Sequence, residues 1–324
     1  MDAGQDSGPP ASAEVGVHPK PQGPGEIPRA LVGSGTPQPT ARWRLSKDAV
    51  PYDELTTSAS LTDVGRPVII LGVRFDPVTL TGAVDRIESM VAAGGSHHVV
   101  TPNVDFLVKA RRDAELQQIL VGADLVLCDG RPLVWASHWL GNALPGRVAG
   151  SDLMPCLLQR AALRGWRIFL LGGGPGVASE AAKRIAAEHP SLPEVAHCSP
   201  PCRLLHDMDN TEIIERVRTA RPDIMLVCFG CPKQEKWISK YRQLLEVPVL
   251  IGAGGTVDFL AGRMARAPVW MRRSGTEWLF RLLQEPRRLA GRYADDLLYF
   301  LPAILAQCWR QRLSFAKEYM SGRP

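Results

Sequence analysis

Between residues 66 and 262 short, nearly uninterrupted runs of β-branched and other apolar residues alternate with stretches whose apolar positions recur at helical spacing. The runs are VIILGV (68–73), HHVVT (97–101), ADLVLCD (123–129), WRIFLLG (166–172), EVAHCS (194–199), DIMLVCFG (223–230) and VPVLIGAG (247–254). A strand that is apolar at every position has both faces covered, and helices between such strands are the crossovers that parallel pairing requires. The alternation therefore predicts an α/β fold, a doubly wound, mostly parallel, Rossmann-like sheet over residues 65–262. Ser151 and Asp152 are the expected caps of the helix LMPCLLQRAALR, and Asp209 or Asn210 that of TEIIERVRTA.

The flanks differ. Residues 1–40 hold eight Pro and seven Gly and no hydrophobic period, so residues 1–64 read as a disordered leader. The opening residues lack a basic start followed by an apolar run, so no signal peptide is expected. Residues 263–324 read as a helical appendage, interrupted at Pro286 and Pro302, in which arginines alternate with Trp, Leu and Phe. That segment carries twelve Lys+Arg against five Asp+Glu, or +7; with +5 for the whole chain the rest sums to −2. A basic tail on a near-neutral body points to an anionic partner. LLYFLPAILAQCW (297–309) is too short and interrupted to span a bilayer and has the profile of a helix lying among lipid head groups. Seven cysteines, an odd number, suggest a reducing compartment, with no disulfide framework and no zinc knuckle expected.

In an open α/β sheet the ligand binds beyond the carboxyl ends of the strands. Gathered there are Thr101 and Asn103; Asp129 and Gly130; Gly172, Gly173, Gly174, Pro175 and Gly176; Gly230, Pro232, Gln234 and Glu235; and Gly252, Gly254, Gly255, Thr256 and Asp258. A glycine loop entering a helix is a shape that cradles phosphate. A nicotinamide cofactor would ask for a carboxylate at the end of the next strand, and His197-Cys198-Ser199 offers none. A nucleotide sugar suits the loop better. Asp129 is a lone carboxylate at the sheet edge, either a general base or the cap of the helix that starts near Pro132. Asp207 and Asp209 read as helix caps; His97 and His98 face opposite ways along a strand, so no metal site is expected. A nucleic-acid-binding module built on the basic tail is the rival class, but no recognition motif accompanies the charge.

The segments TPNVDFLVKARR, LVLCDGRPLVW, RVAGSDL, FLLGGGPGVA, FGCPKQEKWI, GAGGTVDFLAGRMARAP and EWLFRLLQEPRR, in this order, resemble the WecB/TagA/CpsF glycosyltransferases (glycosyltransferase family 26) over residues 67–305. The resemblance implies an inverting transfer of a hexose (N-acetylmannosamine, its uronic acid or glucose) from a UDP-sugar. The acceptor would be a sugar on undecaprenyl diphosphate, reached from the cytoplasmic face of the membrane in cell-surface polysaccharide synthesis. UDP-sugar would be a substrate, with no cofactor, no metal and no nucleic acid. It casts Asp129 as catalytic base with Thr101 and Asn103 beside it. Arg147, Asp152, Gly172, Gly173, Gly174, Gly176, Gln234, Glu235 and Asp258 would contact substrate, and Arg281, Arg288 and Arg292 the lipid diphosphate. Two departures stand out: Cys202-Arg203-Leu204 follows Ser199-Pro200-Pro201 where the family often has an aromatic-Gly-Phe, and Gly291 replaces a common basic residue. In the mechanism these parts suggest, Asp129 takes the acceptor hydroxyl proton as the oxygen attacks the anomeric carbon and UDP departs from the opposite face.

Overall fold

A computed structural model describes residues 65–201 and 205–320; the expected leader and the Cys202-Arg203-Leu204 departure lie outside the described residues. The chain opens with a hairpin, β1 (Val68–Ile70) and β2 (Val73–Phe75), paired antiparallel. The sequence pattern reads VIILGV as one strand of the main sheet, and the structure corrects this. Leu71 and Gly72 both take positive φ, 49° and 84°, the two-residue turn whose twist suits a hairpin. Val68, Ile70, Val73 and Phe75 are buried while Ile69 and Arg74 face outward.

The helices and strands that follow are α1 (Leu80–Ala93), β3 (His97–Val100), α2 (Val104–Ala110), α3 (Ala114–Val121), β4 (Leu125–Val126), α4 (Arg131–Trp139), α5 (Gly150–Arg164), β5 (Ile168–Gly172), α6 (Val177–Glu188), β6 (Ala196–Cys198), α7 (Asn210–Ala220), β7 (Ile224–Cys228), α8 (Lys233–Leu245), β8 (Val249–Gly252), α9 (Thr256–Leu260), α10 (Val269–Ser274), α11 (Glu277–Gln284) and α12 (Pro286–Met320). Six strands form one parallel sheet in the order β4-β3-β8-β7-β5-β6. Every residue of β5, β7 and β8 is buried, as two covered faces demand. Ile168, Leu170, Ile224, Leu226, Val249 and Ile251 pack under α5 and α6. Phe169, Leu171, Met225, Val227 and Leu250 face the other way, against Ile213 and Val217 of α7 and Trp237 and Ile238 of α8. The edge strands β4 and β6 have only two and three residues, which limits pairing with other chains.

From β5 the chain steps outward to β6, and from β7 it steps the opposite way to β8. The loops leaving β5 and β7 therefore diverge onto opposite faces, and a crevice opens between them at the strand carboxyl ends.

Two local expectations change. The N-cap of α5 is Ala149, which places Ser151 and Asp152 in the first turn rather than at the cap. Asp209 does cap α7, its Oδ1 accepting from Glu212 N at 3.3 Å. Pro302 does not interrupt α12, which runs through it; Pro286 is its first residue. Residue 302 frees the carbonyl of residue 298, and Leu298 is 70% exposed, so water can satisfy it. Phe300 and Ile304 of α12 are buried with α2, α4 and the hairpin. Gln307 closes the hairpin turn, accepting from Leu71 N at 2.9 Å and donating to Ile69 O at 2.8 Å.

Candidate active site

Backbone hydrogen bonds assemble the first part of the site. Asp129 N donates to Pro102 O at 3.0 Å and Val148 N to Cys128 O at 2.8 Å. The loops bearing Thr101 and Asn103, Asp129, and Arg147 are thereby held side by side. Thr101 is buried, its hydroxyl 3.5 Å from Gly252 O. Asn103 is the N-cap of α2: its Oδ1 accepts from Phe106 N at 3.2 Å, which leaves the amide nitrogen as the group it could offer a ligand. The cap of α4 is Gly130, with φ of 148° and no side-chain capping bond. Asp129 is therefore not the cap of α4.

Around Asp129 lies a ring of charge. Arg147 donates to Asp152 at 2.5 Å and to Glu277 at 2.6 Å. Arg281 donates to Glu277 at 3.1 Å and its guanidinium lies 5.3 Å from the Phe259 ring centre. Arg266 also pairs with Asp152, and Arg272 Nη1 is 3.7 Å from it. Glu277 is only 5% exposed; burial works against its ionisation, but Arg147 and Arg281 outweigh it and hold the carboxyl below the usual range. Asp129 is partly accessible, yet the protein packed around it dominates: burial pushes its carboxyl up to about 6, Arg147 and Arg281 pull it down, and Glu277 and Asp152 push it further up. A carboxyl tuned toward neutrality is suited to take and release a proton.

The second part is the glycine crevice. Gly172 and Gly173 have φ of 105° and 78°, and a Cβ on Gly172 would stand 2.8 Å from Cys228 O, so no side chain fits there. Gly174 and Gly176 are exposed at the start of α6, with Gly176 as its N-cap. Gln234 and Glu235 do not face this crevice openly: both are buried, behind the loops after β7 and β8. Asp258 is half-buried in α9, its carboxyl raised by burial, pulled down by Arg263 and pushed up by Glu285. Arg288 pairs with Glu285 beside it. The Arg292 guanidinium lies 5.4 Å from the Tyr293 ring centre.

Sequence reading missed Glu277, Arg266 and Arg272. Their motifs were recognised, but which of several arginines meets Asp152 depends on how residues 263–285 pack. It also passed over the C-x-x-C spacing of Cys228 and Cys231 on either side of the β7 loop. Both thiols are free, and burial pushes that of Cys228 up to about 12 and that of Cys231 well above its usual range, so neither is a ready thiolate. Among the described residues no cluster of three or more His, Cys, Asp or Glu could hold a metal ion.

Residues 68–314 match the Glycosyl transferase WecG/TagA/CpsF family. The chain is 33% identical over 190 residues to the N-acetylglucosaminyldiphosphoundecaprenol N-acetyl-beta-D-mannosaminyltransferase of Bacillus spizizenii, covering 59% of this chain and 72% of the relative. It is 30% identical over 224 residues to the protein of the same name from Staphylococcus aureus, covering 68% and 86%. These matches lend no support to a nucleic-acid-binding module or a nicotinamide oxidoreductase.

Proposed function

This chain belongs to the WecG/TagA/CpsF family of glycosyl transferases, and on that footing we propose that it moves N-acetylmannosamine from UDP to an N-acetylglucosamine carried on undecaprenyl diphosphate. The observation that carries the reading is Asp129, partly accessible and raised to about 6 by burial, set among arginines at the carboxyl edge of the sheet. Its carboxylate takes the acceptor hydroxyl proton as that oxygen attacks the anomeric carbon; the carbon–oxygen bond to UDP breaks on the opposite face. Thr101 and the Asn103 amide nitrogen orient the sugars. The Gly172–Gly176 loop and the start of α6 receive the departing diphosphate, with its growing charge met by backbone N–H groups. Arg147 keeps Asp152 and Glu277 neutralised, and Arg281 and Arg288 serve the lipid diphosphate.

A lipid-linked acceptor calls for work at a membrane surface, and the exposed side chains of this protein support that reading. No helix among the described residues is long and apolar enough to cross a bilayer. Instead Trp270 of α10, Trp278 and Leu283 of α11, and Leu298, Leu305 and Trp309 of α12 are exposed, as are Trp135 and Trp139 of α4. Trp139, Leu305, Cys308, Trp309 and Arg312 line a groove of about 410 Å³. Tryptophan and arginine together are the pair that settles at a lipid–water boundary, here the inner face of the cell membrane.

Two measurements test this. Incubation with UDP-N-acetylmannosamine and a short-chain N-acetylglucosaminyl diphospho-lipid should release UDP and yield the disaccharide lipid; failure with this pair but turnover with UDP-glucose would replace the donor. Changing Leu305 and Trp309 to Glu should reduce co-sedimentation with anionic vesicles by about tenfold or more, since burying two such side chains is worth about 3 kcal/mol or more. Undiminished co-sedimentation would remove α12 from the membrane contact.

A further inference from the structure

Glu235 has no exposed surface and so cannot touch a sugar or a phosphate, although it sits in the motif that the donor site uses. Its neighbour explains its place. The Gln234 amide oxygen accepts from two backbone groups at once, Gly230 N at 3.0 Å and Gly254 N at 3.0 Å. One atom thus ties the loop after β7 to the loop after β8. A glutamine amide is nearly symmetric in shape but not in hydrogen bonding: turned over, it would aim N–H at two N–H groups and push the loops apart. What fixes its sense is Glu235, whose Oε1 accepts from Gln234 Nε2 at 2.7 Å. The backbone of β8 closes over the pair, since a Cβ on Gly252 would lie 2.7 Å from that nitrogen and 2.8 Å from that oxygen.

We propose that Glu235 is a positioning residue: by accepting from the Gln234 amide it locks that amide's orientation and holds the Gly230 and Gly254 loops beside the Gly172–Gly176 loop that receives the donor's diphosphate. The proposal rests on the UDP-sugar reading above. Burial pushes the Glu235 carboxyl up to about 7, and its Oε2 is buried with no hydrogen-bond partner. The titratable groups facing it are Cys231, whose thiol burial holds far above its usual range, and Lys109 of α2, already paired with Asp105 at 2.8 Å. Below about 7 the lock is neutral. Above it a buried negative charge stands close to the crevice proposed to receive an anion, so affinity for UDP should fall as pH rises.

The test is calorimetric titration of UDP into the full chain, E235Q and E235M, each with its thermal melt recorded. E235Q can still accept from Gln234 and should bind within about threefold of the natural chain, whereas E235M leaves a buried amide without its partner and should lose about tenfold or more. From about pH 7 to about pH 8.5 binding should weaken in the natural chain and stay level in E235Q. Equal affinity in E235M, an E235Q as weak as E235M, or the same pH trend in the natural chain and E235Q would each overturn the lock. Should E235M not fold, E235A, which also lacks the acceptor, takes its place in the same comparison. A natural chain that binds no UDP at any pH would instead remove the donor reading itself.

Discussion

Replacing Asp129 by asparagine should leave a folded protein that binds UDP and transfers almost no sugar. Asparagine keeps the shape and cannot take a proton, so the loss should be about 10²- to 10⁴-fold in turnover, the contribution of a positioned base. The pH profile gives a second readout. The base acts as the carboxylate, and burial raises it to about 6, so kcat/KM should fall as pH drops below about 6. Stability should move in the opposite sense. A carboxyl whose folded pKa lies above its unfolded value of about 3.9 binds more protons when native, so the folded state loses stability as pH rises from about 4 through about 6. D129N escapes that cost and should melt higher than the natural enzyme above pH 6, the gap closing below about pH 4. Full turnover in D129N would remove Asp129 as the base; identical melting at neutral pH would show that its burial costs the fold nothing.

Arg147 carries the second large effect. Its guanidinium is shared by Asp152 and Glu277, at 2.5 and 2.6 Å, and is 15% exposed; the Glu277 side chain is 6% exposed. Arg147→Met would leave Glu277 to Arg281 alone and Asp152 to Arg266 and the more distant Arg272. Removing one partner of a buried pair costs about 3–5 kcal/mol, on the order of 10 °C in a domain of this size. Asp129 would also lose the positive charge that most opposes its protonation. The acid limb of the rate profile should then move to higher pH, in addition to any loss of turnover. A variant melting with the natural enzyme, or an acid limb left in place, would show that the other arginines suffice.

Both effects come from residues at different depths of legibility. Asp129 was visible as a strand-end carboxylate, but the bare spacing allowed a helix cap just as well; the tertiary structure gives that cap to Gly130. Gln234 and Glu235 were legible as a motif, but their burial was not, because a one-dimensional pattern cannot tell an exposed residue of a loop from one packed beneath it. Leu71-Gly72 shows the same limit from the other side: a short apolar run carries no mark of a turn when a leucine takes positive φ. Pro302 reads as a break, yet its freed carbonyl belongs to a solvent-facing turn and the helix continues.

The amino-acid order by itself determined the parallel sheet, its helix-covered faces and the edge at which chemistry collects, because burial on both sides of a strand and the 3.6-residue period are local properties of the chain. Only the three-dimensional packing decided that Glu277, 148 positions after Asp129 in sequence, shares one arginine with Asp152 beside that aspartate. Charge–charge energies depend on distance through space and on how much water is excluded, and neither is written in the spacing of residues along the chain.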